Sequence, residues 1–308
     1  MTINAHISTF AGLPVEAYPG IRPPADPGAV AWRIEDPDFE GGDIFLSRLS
    51  DLVAEPWAGQ VTALILGEWG SAYESPPPLD YLIAVLPQLT SLKALFVGEL
   101  TFDECEISWI HHGDITPLLA ALPGLEIFTI RGTEELALTP IRHESLRRLT
   151  FESGGLGADI VRAVGDCDLP RLEHLELWLG TANYGGNTIV EDLAVILAGT
   201  RLPALTSLGL RDAEIADQVA AALASAPVVG RLEVLDLSLG MLSDVGASAL
   251  LSGQPLTHLR ALDLHHHFMT RPVIERLIAE LRDAGVDLDL SDAEGADDPD
   301  RRYVAVAE

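Results

Sequence analysis

The stretch LRALDL at residues 259–264 decides how the chain is built. Leucines occupy its first, fourth and sixth positions, and the same spacing precedes it in LEHLEL at 172–177, LTSLGL at 205–210 and LEVLDL at 232–237. The fourth-position residues Leu208, Leu235 and Leu262 are each 27 residues apart. Such constancy indicates a structural repeat.

The repeat extends in both directions along the chain. Its other copies are less regular: VTALIL at 61–66, LKALFV at 92–97, LEIFTI at 125–130, LRRLTF at 146–151 and a weaker GVDLDL at 285–290. Between the copies lie helix-length segments with apolar residues three and four apart, such as VIERLIAEL at 273–281. Strands and helices alternating in series predict an α/β fold with a parallel sheet on one side and helices on the other.

These units resemble the leucine-rich repeat, whose consensus is L-x-x-L-x-L-x-x-N/C-x-L. The resemblance implies a solenoid curved into a horseshoe, with the parallel sheet on the concave face and the helices on the convex face. The length of the units and LSDVGASALL at 242–251 look ribonuclease-inhibitor-like. Position 9 departs from the consensus, since residues such as Gly180, Gly240 and His267 replace Asn or Cys. We therefore expect closer turns, or water, in place of the usual polar ladder.

The domain boundaries follow from where the repeat is found. About nine units are expected over residues 61–290. Residues 1–60 are predicted to form an N-terminal cap, with an edge strand at 30–35 and a helix at 44–55. Residues 291–308 contain six acidic residues against two arginines and are predicted to be an acidic, flexible tail.

Composition restricts the possible partners. The chain carries 47 acidic against 19 basic residues, a net charge of −28, which repels phosphate and argues against nucleic-acid or anionic-membrane partners. No apolar run reaches the roughly 18 residues of a membrane span, and MTINAHISTF at the N-terminus does not look like a secretory signal. With only two cysteines, the composition predicts a cytoplasmic protein with free thiols.

The candidate binding face follows from the repeat register. Positions 3, 5 and 7 of a strand point away from the leucine core, and equal positions of neighbouring strands form columns about 4.8 Å apart. Early repeats place small and apolar residues in these columns, whereas later repeats place charged and aromatic ones there. The predicted binding residues on the concave face are Arg131, Arg148, Glu152, His174, Glu176, Trp178, Arg211, Asp236, Asp263 and His265. Trp178 is either a binding anchor or a packing residue beneath the loop at 180–187.

The histidine run in LDLHHHF at 262–268 suggests metal binding, but consecutive strand residues point to opposite faces. The three rings therefore cannot chelate one ion. His267 occupies position 9 and is predicted to bond to turn carbonyls. The acidic face beside His265 is predicted to receive a partner's Arg or Lys; the alternative is a metal site made by Asp236, Asp263 and His265.

Another mixed stretch is DECEISWIHHGD at 103–114. It lacks a second cysteine pair at zinc-ligand spacing, so we expect Ile107, Trp109 and Ile110 to pack over the neighbouring repeat instead. The sequence contains no G-x-S-x-G, H-E-x-x-H or phosphate-loop motif. We therefore predict neither a catalytic residue, nor a resident metal, nor a cofactor.

The whole chain is also similar to a bacterial family of uncharacterised leucine-rich-repeat proteins, through the stretches at 102–119, 174–180 and 262–268. Its members are typically encoded beside radical-SAM, ATP-grasp and phosphatase-like enzymes, which implies an operon-encoded enzyme or its substrate as partner. We predict a non-enzymatic protein- or peptide-binding scaffold of undetermined oligomeric state. The alternatives are a metal-binding accessory or enzyme using Asp236, Asp263 and His265, and a hydrolase inhibitor by analogy with the ribonuclease inhibitor.

Overall fold

Each of the nine copies of the L-x-x-L-x-L pattern contributes a β-strand in the computed structural model of the protein. The structure describes residues 3–20, 26–37, 41–295 and 301–308. These residues divide into Ile3–Glu152 and Ser153–Ala307, which we call the N-terminal unit and the C-terminal unit. No helix in these ranges is long and apolar enough to span a bilayer.

The N-terminal unit is a sheet whose strands follow chain order. Its strands are β1 (Thr9–Phe10), β2 (Leu13–Ala17), β3 (Ala31–Ile34), β4 (Ala63–Leu66), β5 (Ala94–Val97), β6 (Ile127–Arg131) and β7 (Arg148–Glu152), and its α-helices are α1 (Asp43–Ala54), α2 (Leu79–Val85) and α3 (Thr116–Ala121). The β1 and β2 pair is antiparallel, and each strand from β2 to β7 pairs in parallel with the next. The predicted edge strand is β3, but it is not at the edge because β2 pairs with it.

The C-terminal unit repeats the same arrangement. Its strands are β8 (His174–Gly180), β9 (Ser207–Ala213), β10 (Val234–Asp236), β11 (Ala261–Asp263) and β12 (Asp287–Asp289), and its α-helices are α4 (Ala158–Asp166), α5 (Ala194–Ala198), α6 (Ala216–Leu223), α7 (Asp244–Leu251) and α8 (Arg271–Leu277). All neighbouring strands from β8 to β12 pair in parallel. A π-helical turn, Ile278–Arg282, continues α8.

The strand register places the repeat leucines in continuous rows. Leu64 pairs with Leu95, and Leu235 pairs with both Leu208 and Leu262. These side chains are fully buried, and burying each contributes roughly 1.5–3 kcal/mol. The predicted leucine-rich-repeat solenoid is thus confirmed. Its strands form a parallel sheet with buried rows of leucines, and helices connect successive strands.

Small residues replace the polar ladder at position 9. A Cβ on Gly180 would lie 1.9 Å from the Gly154 carbonyl oxygen, and a Cβ on Gly240 would lie 2.8 Å from the Ala213 backbone nitrogen. Neither position has space for a side chain. The turns therefore pack directly on one another, as the sequence analysis expects for small residues.

The C-terminal residues correct the prediction of a flexible tail. Val304 and Val306 are buried, and the Val306 amide donates to Asp212 Oδ1 over 2.9 Å. The Tyr303 ring lies 5.2 Å from the His266 ring. Five of the six acidic residues of this segment lie at 292–300, of which 296–300 are outside the described residues, whereas VAV at 304–306 is apolar and packs.

Candidate functional site

The predicted binding residues divide between the two units. We call the side of the sheet lined by positions 3, 5 and 7 the open face. In the N-terminal unit it carries Arg131, Arg148 and Glu152, and in the C-terminal unit it carries the rest: His174, Glu176, Trp178, Arg211, Asp236, Asp263 and His265. We call this second set, together with Ser238 and Asp289, the C-terminal cluster.

Arg131 is buried and fully engaged within the N-terminal unit. Its Nε donates to Glu152 Oε2 over 2.7 Å, and its Nη1 donates to the Leu100 carbonyl oxygen over 2.6 Å. The guanidinium carbon lies 5.2 Å from the centre of the Phe96 ring. Arg148, on β7, is exposed. The structure thus joins Arg131 to Glu152. The Arg148 side chain, by contrast, is exposed to solvent.

A buried ion-pair network that sequence reasoning missed lies beside Arg131. Glu99 is fully buried and pairs with the Arg33 guanidinium, and its Oε2 lies 3.1 Å from His6 Nδ1. His6 Nε2 lies 3.2 Å from Glu104 Oε1. Hydrogen bonds to Glu104 and Glu99 raise the pKa of His6 to about 9. One signal was available: Arg33 occupies an otherwise apolar strand, AWRI, where a charge requires a partner.

The N-terminal segment covers the open face of the first repeats. Phe10 joins a buried cluster with Ile65 and Phe96, and the Phe10 and Phe96 rings are 5.7 Å apart. The Ile7 amide donates to Glu99 Oε1 over 2.9 Å, and the Ile3 carbonyl accepts a bond from the Phe102 amide. We call residues 3–10 the arm. The apolar columns predicted for the early repeats therefore receive the chain's own N-terminus.

Glu176 is the centre of the C-terminal cluster. Its Oε1 accepts hydrogen bonds from Trp178 Nε1 over 2.7 Å and from Arg211 Nη1 over 2.8 Å. Its Oε2 lies 3.4 Å from His174 Nε2. Burial by itself disfavours the charged form, but His174, Arg211 and Trp178 outweigh it and lower the pKa of Glu176 to about 2. The carboxylate is therefore ionised at neutral pH.

Arg211 joins three neighbouring strands. It bonds to Glu176 on β8, and its Nε lies 3.2 Å from Asp236 Oδ2 and 3.0 Å from Ser238 Oγ, on and just after β10. Burial opposes its charge, but Glu176 and Asp236 raise the pKa of Arg211. Ser238 is buried and donates to Asp236 Oδ1 over 2.6 Å. These bonds hold the charged side chains in one fixed arrangement.

Trp178 supports this arrangement from below. Its ring is only 7% exposed, and the Arg211 guanidinium carbon lies 5.2 Å from the ring centre. Because its N–H is bonded to Glu176, the indole has a fixed orientation. The buried indole has a packing role, as in the second alternative, but the side chain that lies over its ring is that of Arg211.

The more accessible end of the cluster is acidic. His265 Nδ1 lies 2.7 Å from Asp263 Oδ1, and this bond raises the pKa of His265. The Asp263 side chain is 32% exposed, and Asp289 on β12 is exposed. Within the described residues, neither carboxylate forms an ion pair with Arg or Lys. This end therefore carries negative charge that His265, rather than an arginine or lysine of the described residues, contacts.

One atom from each of Asp263, His265 and Asp289 lies within 4.8 Å of the others. This trio differs from the predicted metal set because Asp236 is held by Arg211 and Ser238 instead. Asp289 was not among the predicted binding residues, but it occupies the same column as Asp263.

From the stretch at 103–114, Glu104 joins such a group with His6 and Glu35, whereas its cysteine and histidines join none among the described residues. Across the described part of the chain, no three ligand atoms that include Cys105 or His112 come this close together. His112 is fully buried with Nε2 2.7 Å from the Arg131 carbonyl oxygen. Burial raises the pKa of Cys105 to about 12 and lowers that of His112 to about 4. Both are core residues.

Known structures share this fold. No protein-family model matches the chain, and no curated protein matches it by sequence. A crystal structure of a Bacteroides fragilis protein, solved as a structural-genomics target, superposes with a TM-score of 0.76 at 27% identity. The match covers 84% of this chain and 72% of that one. The two chains therefore share their fold over most of this chain's length.

Two further structures match less well. An internalin from Listeria monocytogenes is 16% identical with a TM-score of 0.36, over 89% of this chain and 78% of that one. The TLR13–ssRNA13 complex gives 15% identity and a TM-score of 0.35, over 86% of this chain and 39% of that one. TM-scores this low leave the folds too different to support an inference about function.

Proposed function

We propose that the protein is a non-enzymatic scaffold that binds a protein or peptide on the open face of its C-terminal unit. The observation that carries the proposal is the fixed C-terminal cluster with two carboxylates, Asp263 and Asp289, that form no ion pair with arginine or lysine among the described residues. A rigid face that is prepared in advance loses little conformational entropy when a partner binds. Its surplus charge favours a partner segment that contains arginine or lysine.

The charges of the cluster favour a positively charged partner segment over a negatively charged one. Arg211 is compensated by Glu176 and Asp236, so its charge is not offered to an anion. Beyond Asp236 the columns continue with Asp263 and Asp289. An incoming guanidinium can bond to two carboxylate groups at this end while the rest of the segment lies along the strands.

The test compares variants in affinity capture from an extract of the source organism, quantified by mass spectrometry. The Asp263→Asn/Asp289→Asn double variant should capture at least about tenfold less of the specific partner than the unmodified chain does. The reason is that each lost charge-assisted hydrogen bond is worth about 1.5–3 kcal/mol. The amide side chains keep the size and some of the hydrogen bonding, so folding should be preserved.

Glu191→Gln/Asp283→Asn provides the matched control. Both residues are exposed acids of the same unit outside the cluster, so the net charge changes equally. Equal capture by the two double variants would show that the acidic end of the open face is not the binding site.

A second candidate function, cation binding, is favoured by the close approach of Asp263, His265 and Asp289. Two carboxylates and one imidazole suit a divalent transition-metal ion. Elemental analysis of protein purified without a histidine tag separates the two functions. A stoichiometric metal that is lost in His265→Ala would favour the second, and metal-free protein that still captures a partner would favour the first.

The proposed setting follows from the resemblance and the thiols. Cys105 and Cys167 are both buried and no disulfide joins them, which fits the reducing cytoplasm. An enzyme encoded nearby, or that enzyme's peptide substrate, is the class of partner that the family resemblance suggests. Purified partner candidates from the capture experiment can be tested directly for binding.

A further inference from the structure

Trp109 points away from the core, contrary to the packing expected from the sequence. Its neighbours Ile107 and Ile110 are buried, but Trp109 is 42% exposed. Tyr73, from the preceding repeat, is 59% exposed, and the two ring centres are 5.9 Å apart at an interplanar angle of 45°. Two large aromatic side chains thus form one exposed surface within the N-terminal unit.

The backbone holds this aromatic pair in place. The His111 amide donates to the Ala72 carbonyl oxygen over 2.9 Å, which fastens the Trp109 loop to the Tyr73 loop. The Ala72 amide in turn donates to Glu68 Oε1 over 3.0 Å. Trp109 Nε1 donates to Glu106 Oε2 over 3.1 Å and so fixes the indole orientation. Both rings therefore occupy defined positions before any ligand binds.

The surroundings of the pair are acidic. Residues 67–79 and 98–116, which contain both loops, include no lysine or arginine. Glu74 and Asp103 are exposed, and Glu106 is half-buried beside the indole. Aromatic faces attract cations through their quadrupole, and the nearby carboxylates add to that attraction. An anion would be repelled, so the charge of the loops selects a positively charged ligand.

We propose that Tyr73 and Trp109 form an aromatic platform for an arginine or lysine side chain in a basic segment of a partner protein. Arginine is favoured because its planar guanidinium can stack on an indole while it bonds to a carboxylate. Glu106 supplies that carboxylate beside the ring. This surface does not depend on the open-face site, because it uses none of the residues of the C-terminal cluster.

The probe is a hexa-arginine peptide added to the full chain at physiological salt. Binding is followed through the tryptophan indole N–H signals in NMR spectra, and the Trp109 signal is assigned by its loss in Trp109→Ala. We expect a saturable shift of that signal. Calorimetry in the Asp263→Asn/Asp289→Asn background, which removes the arginine-binding charges proposed for the open face, should show peptide affinity reduced about 3- to 30-fold by Trp109→Ala, the range expected for a cation–π contact.

Three further variants sharpen the result. Trp109→Leu keeps an apolar side chain without a π face and should weaken binding like Trp109→Ala. Glu106→Gln keeps an acceptor for the indole N–H but removes the charge, so it should weaken binding and lower its salt dependence. Val245→Ala is the control. It truncates an apolar side chain of α7 that is 70% exposed, and it should leave peptide binding unchanged.

Specific results would overturn the proposal. Equal peptide affinity of Trp109→Ala and the unmodified chain would do so, as would full affinity in Trp109→Leu, which would indicate a purely apolar contact. Sedimentation that shows self-association lost in Trp109→Ala would assign the surface to a second copy of this chain instead. Asp263→Asn/Asp289→Asn should leave the Trp109 shift intact, so failure here is distinguishable from failure of the open-face proposal.

Discussion

The three consecutive histidines occupy three different environments. His265 lies on the open face, bonded to Asp263. His266 has a left-handed φ of 55° and makes an edge-on ring contact with Tyr303. His267 is buried, with Nε2 3.2 Å from the Leu290 carbonyl oxygen and Nδ1 accepting from the Met269 amide. The prediction that His267 bonds to turn carbonyls is thus confirmed, and the run is not one site.

The histidine run yields a prediction about stability. His267→Ala should lower the free energy of unfolding by about 1–3 kcal/mol because it leaves a buried amide and a carbonyl unpaired. His265→Ala should cost less than about 0.5 kcal/mol because its ring is partly exposed. Urea unfolding of both variants at pH 7 provides the measurement. Equal losses would mean that the turn does not depend on the His267 ring.

Side-chain partners explain why the sequence located these residues better than it described them. The repeat register correctly places Glu176, Arg211 and Asp236 on one face. It does not reveal that Arg211 is compensated or that Ser238 is buried beneath it. Such properties depend on side-chain rotamers and on contacts with other repeats. The sequence of a single repeat specifies neither.

At the scale of elements, the arm (residues 3–10) belongs to the N-terminal unit but carries no copy of the repeat. It crosses strands of other repeats and is held by apolar contacts at Phe10 and by ion pairs at His6. The folded pKa of His6 is about 9, above its ordinary value of 6.5. Its stabilising contribution is therefore fully present below pH 6.5 and is lost as the pH rises through about 9.

This difference predicts how the arm responds to alkali. The stability difference between the unmodified chain and His6→Ala should be largest below pH 6.5 and should disappear above about pH 9. Thermal unfolding of both chains between pH 6 and 10 provides the measurement. An exposed histidine with no acidic partner would give no such trend, so a constant difference across this range would contradict the role assigned to His6.

At the scale of the whole molecule, the fold combines a large negative charge with buried neutral histidines. Burial lowers the pKa of His112 to about 4 and also lowers the pKa values of His143 and His267. As the pH falls, the unfolded chain takes up protons at these rings before the folded chain does. The contribution of these three rings to stability is therefore lost as the pH falls below about 6.5.

His112 should account for the largest resolved part of this acid sensitivity. Between pH 6.5 and about 4 it should lower the free energy of unfolding by about 3 kcal/mol, since each unit of pKa difference corresponds to about 1.4 kcal/mol. Denaturant unfolding at several pH values across this range should show that the free energy of unfolding changes less with pH in His112→Gln than in the unmodified chain. This variant begins from lower stability. The same slope in both chains would mean that His112 is protonated inside the fold.

The sequence by itself determined the repeat, the strand positions and the columns of the open face. It could do so because leucine spacing acts within each unit of 21 to 33 residues, and neighbouring units bury their leucines against one another. Only the tertiary structure decided what covers or compensates those columns. His6 and Glu99 are 93 residues apart, and Val306 and Asp212 are 94 apart. No local spacing encodes such contacts, because they arise only when the stacked repeats bring distant segments together.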